Sequence, residues 1–190
     1  AATTGEIDLT AVYNGSAKAT VTIGENSYTN VAVVDGKIDL TSFVPAELCG
    51  KQSVRVKIRD GEDFYDLTVN ALFVTKYIAN EEDLQNISAI ETALNGDGYY
   101  MLTADITMSE TGWYATKWNG TEDVVTANYT IGRGHDFVGT IDGNGYKVIG
   151  FTIRSTDAKV SFISQLGAGG TVKNIAVVDA VFKQKGWFIS

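Results

Sequence analysis

The stretch FVGTIDGNGYKVIGFTI, residues 137–153, decides how this chain is read. Two apolar segments flank the run Asp142-Gly143-Asn144-Gly145. Glycine supplies the positive φ angles of a tight corner, and Asp and Asn bond their own backbone there. A calcium loop would need carboxylates at alternate positions and a later bidentate acid. Asp142 and Asn144 fit that pattern, but Tyr146 and Val148 follow. A phosphate loop would need Gly-Lys-Ser/Thr after the glycines, which is absent from this stretch. The run therefore reads as a corner between two strands.

Downstream, the stretch is echoed. Aligning GYKVIGFTIR with GTVKNIAVV matches Val148 with Val172, Phe151 with Ile175 and Ile153 with Val177, each 24 apart, as are Gly145 and Gly169. A second echo, SFIS at 161 and WFIS at 187, has an offset of 26. Repeats of this length with apolar positions in step mark stacked coils that bury a shared core only by stacking. Such a stack needs a cap. Upstream, ANEEDLQNISAIETALNG reads as one helix, with Asn80 as N-cap, Asp83 three residues on, and acids in the first turn. Leu84, Ile87, Ile90 and Leu94 fall near one face and LNG supplies the stop, so the helix is placed to cap the first coil.

Before the helix the grammar differs. In AKATVTI, Ala17, Ala19, Val21 and Ile23 share one face while Lys18, Thr20 and Thr22 share the other. The segment SVRVKIRDGEDFYDLTVNALF reads as a hairpin joining Val54, Val56 and Ile58 to Leu67, Val69 and Ala71. Short strands between turn signals such as YNGS and VVDGK predict a small antiparallel sandwich.

The whole composition fits an ordered protein, with 44% hydrophobic residues in 190. Fifteen Lys and Arg against 23 Asp and Glu give a net charge of −8. That excludes a general affinity for phosphate backbones, which rests on cations that displace counterions. The lone Cys49 cannot form a disulfide within the chain. No apolar run approaches the ~20 residues of a membrane helix. The opening AATTGEIDL, without Met, is that expected of a processed export product or a cut chain.

From Tyr77 to Ser190, the order of EDLQNI, YMLTADI, FVGTIDGNGYKV and GGTVKNIAVV resembles the opening coils of secreted bacterial right-handed parallel β-helix proteins. Those proteins are the pectate-lyase-like superfamily, in particular surface proteins with GLUG-type repeats. The chain departs from them at VSFISQLG, where relatives carry a Gly-Leu-Phe-Gly-like step. The first region resembles the immunoglobulin-like modules of bacterial surface proteins by strand pattern. The expected fold class is thus mainly β: an immunoglobulin-like β-sandwich over residues 1–77, then the helix-capped first coils of a right-handed parallel β-helix over 78–190. Since the last coil ends at GWFIS, self-association or continuation through that open end is expected.

Candidate chemistry is sparse. His135, the single histidine, has Asp136 beside it and Arg133 nearby, but no GxSxG elbow accompanies it and one His with one Cys is too few for zinc. It reads as a loop histidine. Glu110, Glu122, Asp123, Asp136 and Asp157 could supply a glycosidase's paired acids, and Arg133 and Arg154 a lyase's cation, yet no companion pattern joins them. The cluster GWYATKW offers Trp113, Tyr114 and Trp118 as ligand-binding residues, because flat aromatic faces stack on sugar rings. The competing reading makes them a buried plug. Trp187, within a repeat echo, reads as packing.

The expected function is a non-catalytic extracellular module of a bacterial cell-surface or secreted protein, acting in adhesion, spacing or glycan contact. No catalytic residue, metal or cofactor is assigned. The expected partner is a glycan or a host or cell-surface polymer, without nucleic acid or membrane insertion. The alternative is the N-terminal part of a carbohydrate-active lyase or glycoside hydrolase with its catalytic coils beyond Ser190.

Overall fold

Residues 5–41, 43–45, 48–156 and 160–184 are described by a computed structural model. The chain is mainly β and divides into two units, Ala1–Thr75 and Lys76–Ser190.

In the first unit, period-two alternation becomes antiparallel sheet. The strands are β1 (Glu6–Asp8), β2 (Ala17–Ile23), β3 (Asn26–Val33), β4 (Lys37–Asp39), β5 (Gly50–Asp60) and β6 (Asp63–Phe73). Four of them form a sheet in the order β3-β2-β5-β6, and β1 pairs with β4 through Ile7 opposite Ile38. Both sheets contribute to one core: Val21, Val54, Val56 and Ile58 from the larger, Ile7 and Ile38 from the smaller. Each such side chain, fully buried, stabilises the unit by about 1.5–3 kcal/mol. The β5–β6 hairpin sets Val54 against Val69 and Val56 against Leu67. Gly61, at φ +61°, takes the first central position of its two-residue turn. Arg55, Lys57 and Arg59 stand on the wet face, where Arg55 holds Asp66 in a bidentate pair at 2.7 and 2.6 Å.

The second unit opens with β7 (Lys76–Ile78) and a helical segment that is broken rather than continuous: α1 (Glu81–Gln85) and α2 (Ile87–Ala93). Asn86, a weak helix former, closes one and opens the other. The Asn80 cap forms as expected, its Oδ1 accepting the Asp83 N–H at 2.9 Å. Asp83 in turn accepts from Ala79 and pairs with Lys76 at 2.8 Å. Leu84 and Ile87 bury the apolar stripe.

The chain then makes three passes, each laying one strand on each of three ladders. The first pass is β8 (Tyr99–Leu102), β9 (Ile106–Thr107) and β10 (Tyr114–Trp118). A side strand, β11 (Asp123–Asn128), returns antiparallel along β10. The second is β12 (Thr140–Asp142), β13 (Lys147–Ile149) and β14 (Thr152–Ser155), and the third is β15 (Thr171–Lys173), β16 (Ala176–Val178) and β17 (Val181–Gln184). All pairings between passes are parallel. Tyr100, Ile141 and Val172 thus stack in one row, and Ile106, Val148 and Val177 in another. Val172, Val177 and Phe182 of the third pass are 38%, 46% and 66% exposed, because no described residue stacks on them.

These pairings overturn the offset of 24. Val172 pairs with Ile141, 31 residues back, and Val177 with Val148, 29 back. The two-residue contraction falls at the corner: four residues separate Asp142 from Lys147, and two separate Lys173 from Ala176. The offset of 24 sets Val148 of the middle ladder against Val172 of the first. WFIS lies outside the described residues.

The corner itself is held by Asp142. Its Oδ1 accepts the Asn144 N–H and the Asn174 amide, both at 3.0 Å, and its Oδ2 accepts the Tyr99 hydroxyl at 2.7 Å. Lys173 Nζ lies 3.3 Å from Oδ2. Burial pushes the Asp142 carboxyl up, but the hydrogen bonds from Tyr99, Asn174 and Asn144 and the ammonium of Lys173 together outweigh it. The carboxyl is held below the ordinary carboxylate range. Asn144 and Gly145 adopt φ of 52° and 87°. Gly143 is required for space, since a Cβ there would run into the Asn174 carbonyl and Ile175 of the next pass.

Candidate functional site

The three aromatic candidates part company. Trp113 follows Gly112, whose φ of +80° turns the chain inward, and its ring has no exposed surface. It packs against Phe162, Phe151 and Tyr129 at centroid distances of 4.9, 5.4 and 5.9 Å. Tyr114 is likewise buried, opposite Ile153. A ring without an accessible face cannot stack on a sugar, so neither Trp113 nor Tyr114 serves as a platform. Trp113, just before β10, and Tyr114, its first residue, both join the core of the second unit. Trp118, at the far end of β10, is 57% exposed. It sits beside Asp123 at the head of the β10–β11 hairpin, whose turn is fixed by Asn119 Oδ1 accepting from Thr121 and Glu122.

Trp118 borders an open groove of about 400 Å³ together with Thr116, Asp123, Arg154, Ser155, Thr156 and Lys183. Arg154 is oriented by donating from Nη1 to the Glu110 carbonyl at 2.9 Å. It pairs in register with Lys183, so two cations occupy adjacent rungs of the ladder. The groove's aromatic face, cations and hydroxyls suit a polar ring with an anionic substituent better than an apolar ligand.

A larger depression of about 880 Å³ lies in the first unit, lined by Tyr28, Val31, Val34 and Phe43 with Glu6 and Lys37. Glu6 and Lys37 pair with each other at 3.1 Å, and Asp35 and Asp39, which also line the depression, leave it more negative than positive charge.

The other candidates are scattered. Glu110 and Glu122 are exposed, Asp136 accepts from Gln165, and among the described acids Asp123 borders the groove. Asp157 and Trp187 lie outside the described residues. His135 is on a loop, as expected, but its Nε2 lies 3.7 Å from Oε1 of Glu91, a carboxylate with no exposed surface. Glu91 Oε1 also accepts the Gly132 N–H at 2.5 Å. Burial pushes the Glu91 carboxyl up, more than that hydrogen bond and the neighbouring His135 lower it. Glu91 follows Ile87 by four residues, so its place on the buried helical face was readable from spacing. Lys183 carries no motif, and its place beside Arg154 emerges only from register. Among the described residues no group of three His, Cys, Asp or Glu could hold a metal ion, and no helix is long and apolar enough to cross a membrane.

No protein-family description and no solved structure matches the chain. Halomucin from Haloquadratum walsbyi (strain DSM 16790 / HBSQ001) is 31% identical over 182 residues, covering 91% of this chain and 2% of that protein. The chain thus spans about 2% of the length of the curated relative it matches.

Proposed function

We propose that the chain is a non-catalytic module of a cell-surface or secreted protein, and that it contacts glycans through Trp118. The observation that carries this reading is the half-exposed indole at the edge of a groove otherwise lined by polar and charged groups. Exposed aromatic rings in such settings bind saccharides through apolar burial on one face, with polar neighbours fixing orientation. The likeness to Halomucin supports the extracellular setting. In this reading the first unit is an immunoglobulin-like sandwich. Helices α1 and α2 cap the start of a right-handed parallel β-helix, supported by the three parallel ladders and the buried helical stripe.

A glycan-array screen of the purified chain, with tryptophan fluorescence recorded alongside, tests the proposal. The expected result is a specific hit that shifts the fluorescence and is lost in Trp118→Ala, which leaves the fold intact. A blank array with a cooperatively folded chain would refute glycan contact.

A further inference from the structure

The groove at Trp118 has a chemical feature that an aromatic platform for neutral sugars does not need. Arg154 of β14 and Lys183 of β17 are register partners on adjacent parallel strands, about 4.8 Å apart along the ladder. Both are exposed and both line the groove. Like charges directly opposite one another on neighbouring strands are destabilising. Some cations have a carboxylate, as Lys37 has Glu6, Arg55 has Asp66, Lys76 has Asp83 and Lys173 has Asp142. Others, such as the register partners Lys18 and Arg59, are in no ion pair among the described residues. Arg154 and Lys183 line a groove beside an exposed indole. Among the described residues, neither Arg154 nor Lys183 is in an ion pair. Arg154 spends one N–H on a backbone carbonyl, which fixes its position without neutralising it. Two cations side by side, against the single carboxylate of Asp123 among the described residues of the groove, leave a local excess of positive charge that an anion would complete.

We propose that this groove recognises an anionic saccharide. The sugar ring lies on the Trp118 indole, and its carboxylate or sulfate ester is held between the Arg154 guanidinium and the Lys183 ammonium. The planar fork of Arg154 suits two oxygens of either group, and Lys183 adds a point charge. Thr116 and Thr156 offer hydroxyls to the ring substituents. Asp123 stands in the same groove and opposes a second negative charge, which favours ligands with well-separated charges. The inference rests on glycan contact through Trp118 and specifies its ligand class.

The test is a fluorescence titration of the whole chain with three probes at low ionic strength. The probes are a neutral maltohexaose, a hyaluronan hexasaccharide carrying carboxylates, and a chondroitin sulfate hexasaccharide carrying sulfates. At least one anionic probe is expected to bind, weakening as salt is raised, while maltohexaose binds at least about tenfold more weakly. Arg154→Gln and Lys183→Gln should each weaken the anionic probe about tenfold, and Asp123→Asn should tighten it several-fold. Lys183→Gln and Asp123→Asn alter exposed groups, so their effects are separable from folding. Equal affinity for neutral and anionic probes, or wild-type affinity in both cation variants, overturns the inference and leaves glycan contact standing. Failure of every probe, together with a blank array, overturns both.

Discussion

Replacing Asp142 by alanine should destabilise the second unit by about 3 kcal/mol, and the structure shows where that figure comes from. Four donors converge on this carboxylate: the Tyr99 hydroxyl, the Asn144 N–H, the Asn174 amide and the Lys173 ammonium. Tyr99 is nearly buried, so losing this acceptor costs its hydroxyl about 1–3 kcal/mol. The turn bond from Asn144 adds about 1 kcal/mol. Lys173 and Asn174 reach solvent and rehydrate, so each contributes only a few tenths. Asp142→Asn keeps an oxygen for Asn144 and Asn174 but turns an NH2 group toward Tyr99 and Lys173, and should cost about 1.5 kcal/mol. Urea unfolding followed by tryptophan fluorescence isolates the effect, because all three tryptophans (113, 118 and 187) lie in the second unit. The sign with pH is fixed by the lowered carboxyl. The stabilisation is present above the unfolded value of about 3.9 and is lost as pH falls through the depressed folded value. Wild type and Asp142→Ala should therefore converge in strong acid. A loss below about 0.5 kcal/mol at pH 7, or a wild-type midpoint that rises on adding calcium, would refute the corner reading.

Three further outcomes follow from the same geometry. Trp113→Ala should cost about 3–5 kcal/mol by opening a cavity among Phe151, Phe162 and Tyr129, whereas Trp118→Ala should cost under about 0.5; thermal melts of the two separate plug from platform. Glu91, with its pKa raised by burial, binds its proton more tightly folded than unfolded. Stability should fall as pH rises from about 4.3 through the raised value, and Glu91→Gln should flatten that slope in urea titrations at several pH values. Gly143→Ala should cost about 3 kcal/mol through collision with the next pass, and Gly145→Ala about 1 kcal/mol through its left-handed φ alone; equal losses in urea unfolding would contradict the stacking at this corner.

Alternation made the first unit readable. Alternate residues Ala19, Val21 and Ile23 of β2 and Val54, Val56 and Ile58 of β5 face the core, and the Asp-Gly turn sets the β5–β6 register that puts Val54 against Val69. The Asn80 cap was equally legible, because its partner Asp83 lies within one turn. The register between passes was not. Each pass carries apolar inward residues on several ladders, so Val148 resembles Val172 as well as its true neighbour Val177. Only the length of the corner distinguishes the two, and corner length leaves no apolar signature. The same blindness hid half the candidate site. Trp118 stands out as an aromatic in a polar loop, but Trp113 five residues earlier looks alike, and burial alone separates them. Arg154 and Lys183 are 29 residues apart and meet only through the register of β14 and β17.

That register underlies the stacked core, the Asp142 corner and the paired cations, so it is the claim to test most directly. In a Cys49→Ser background, Lys147→Cys with Ala176→Cys places two thiols on exposed, directly paired positions of neighbouring strands. Their spacing of about 4.8 Å is within the 4.4–6.8 Å that a disulfide spans. Lys147→Cys with Thr171→Cys, at the offset of 24, places them on different ladders. Mild oxidation followed by peptide mass mapping should show an intramolecular bridge in the first pair and none in the second. A bridge in the second pair alone would contradict the register and the account built on it.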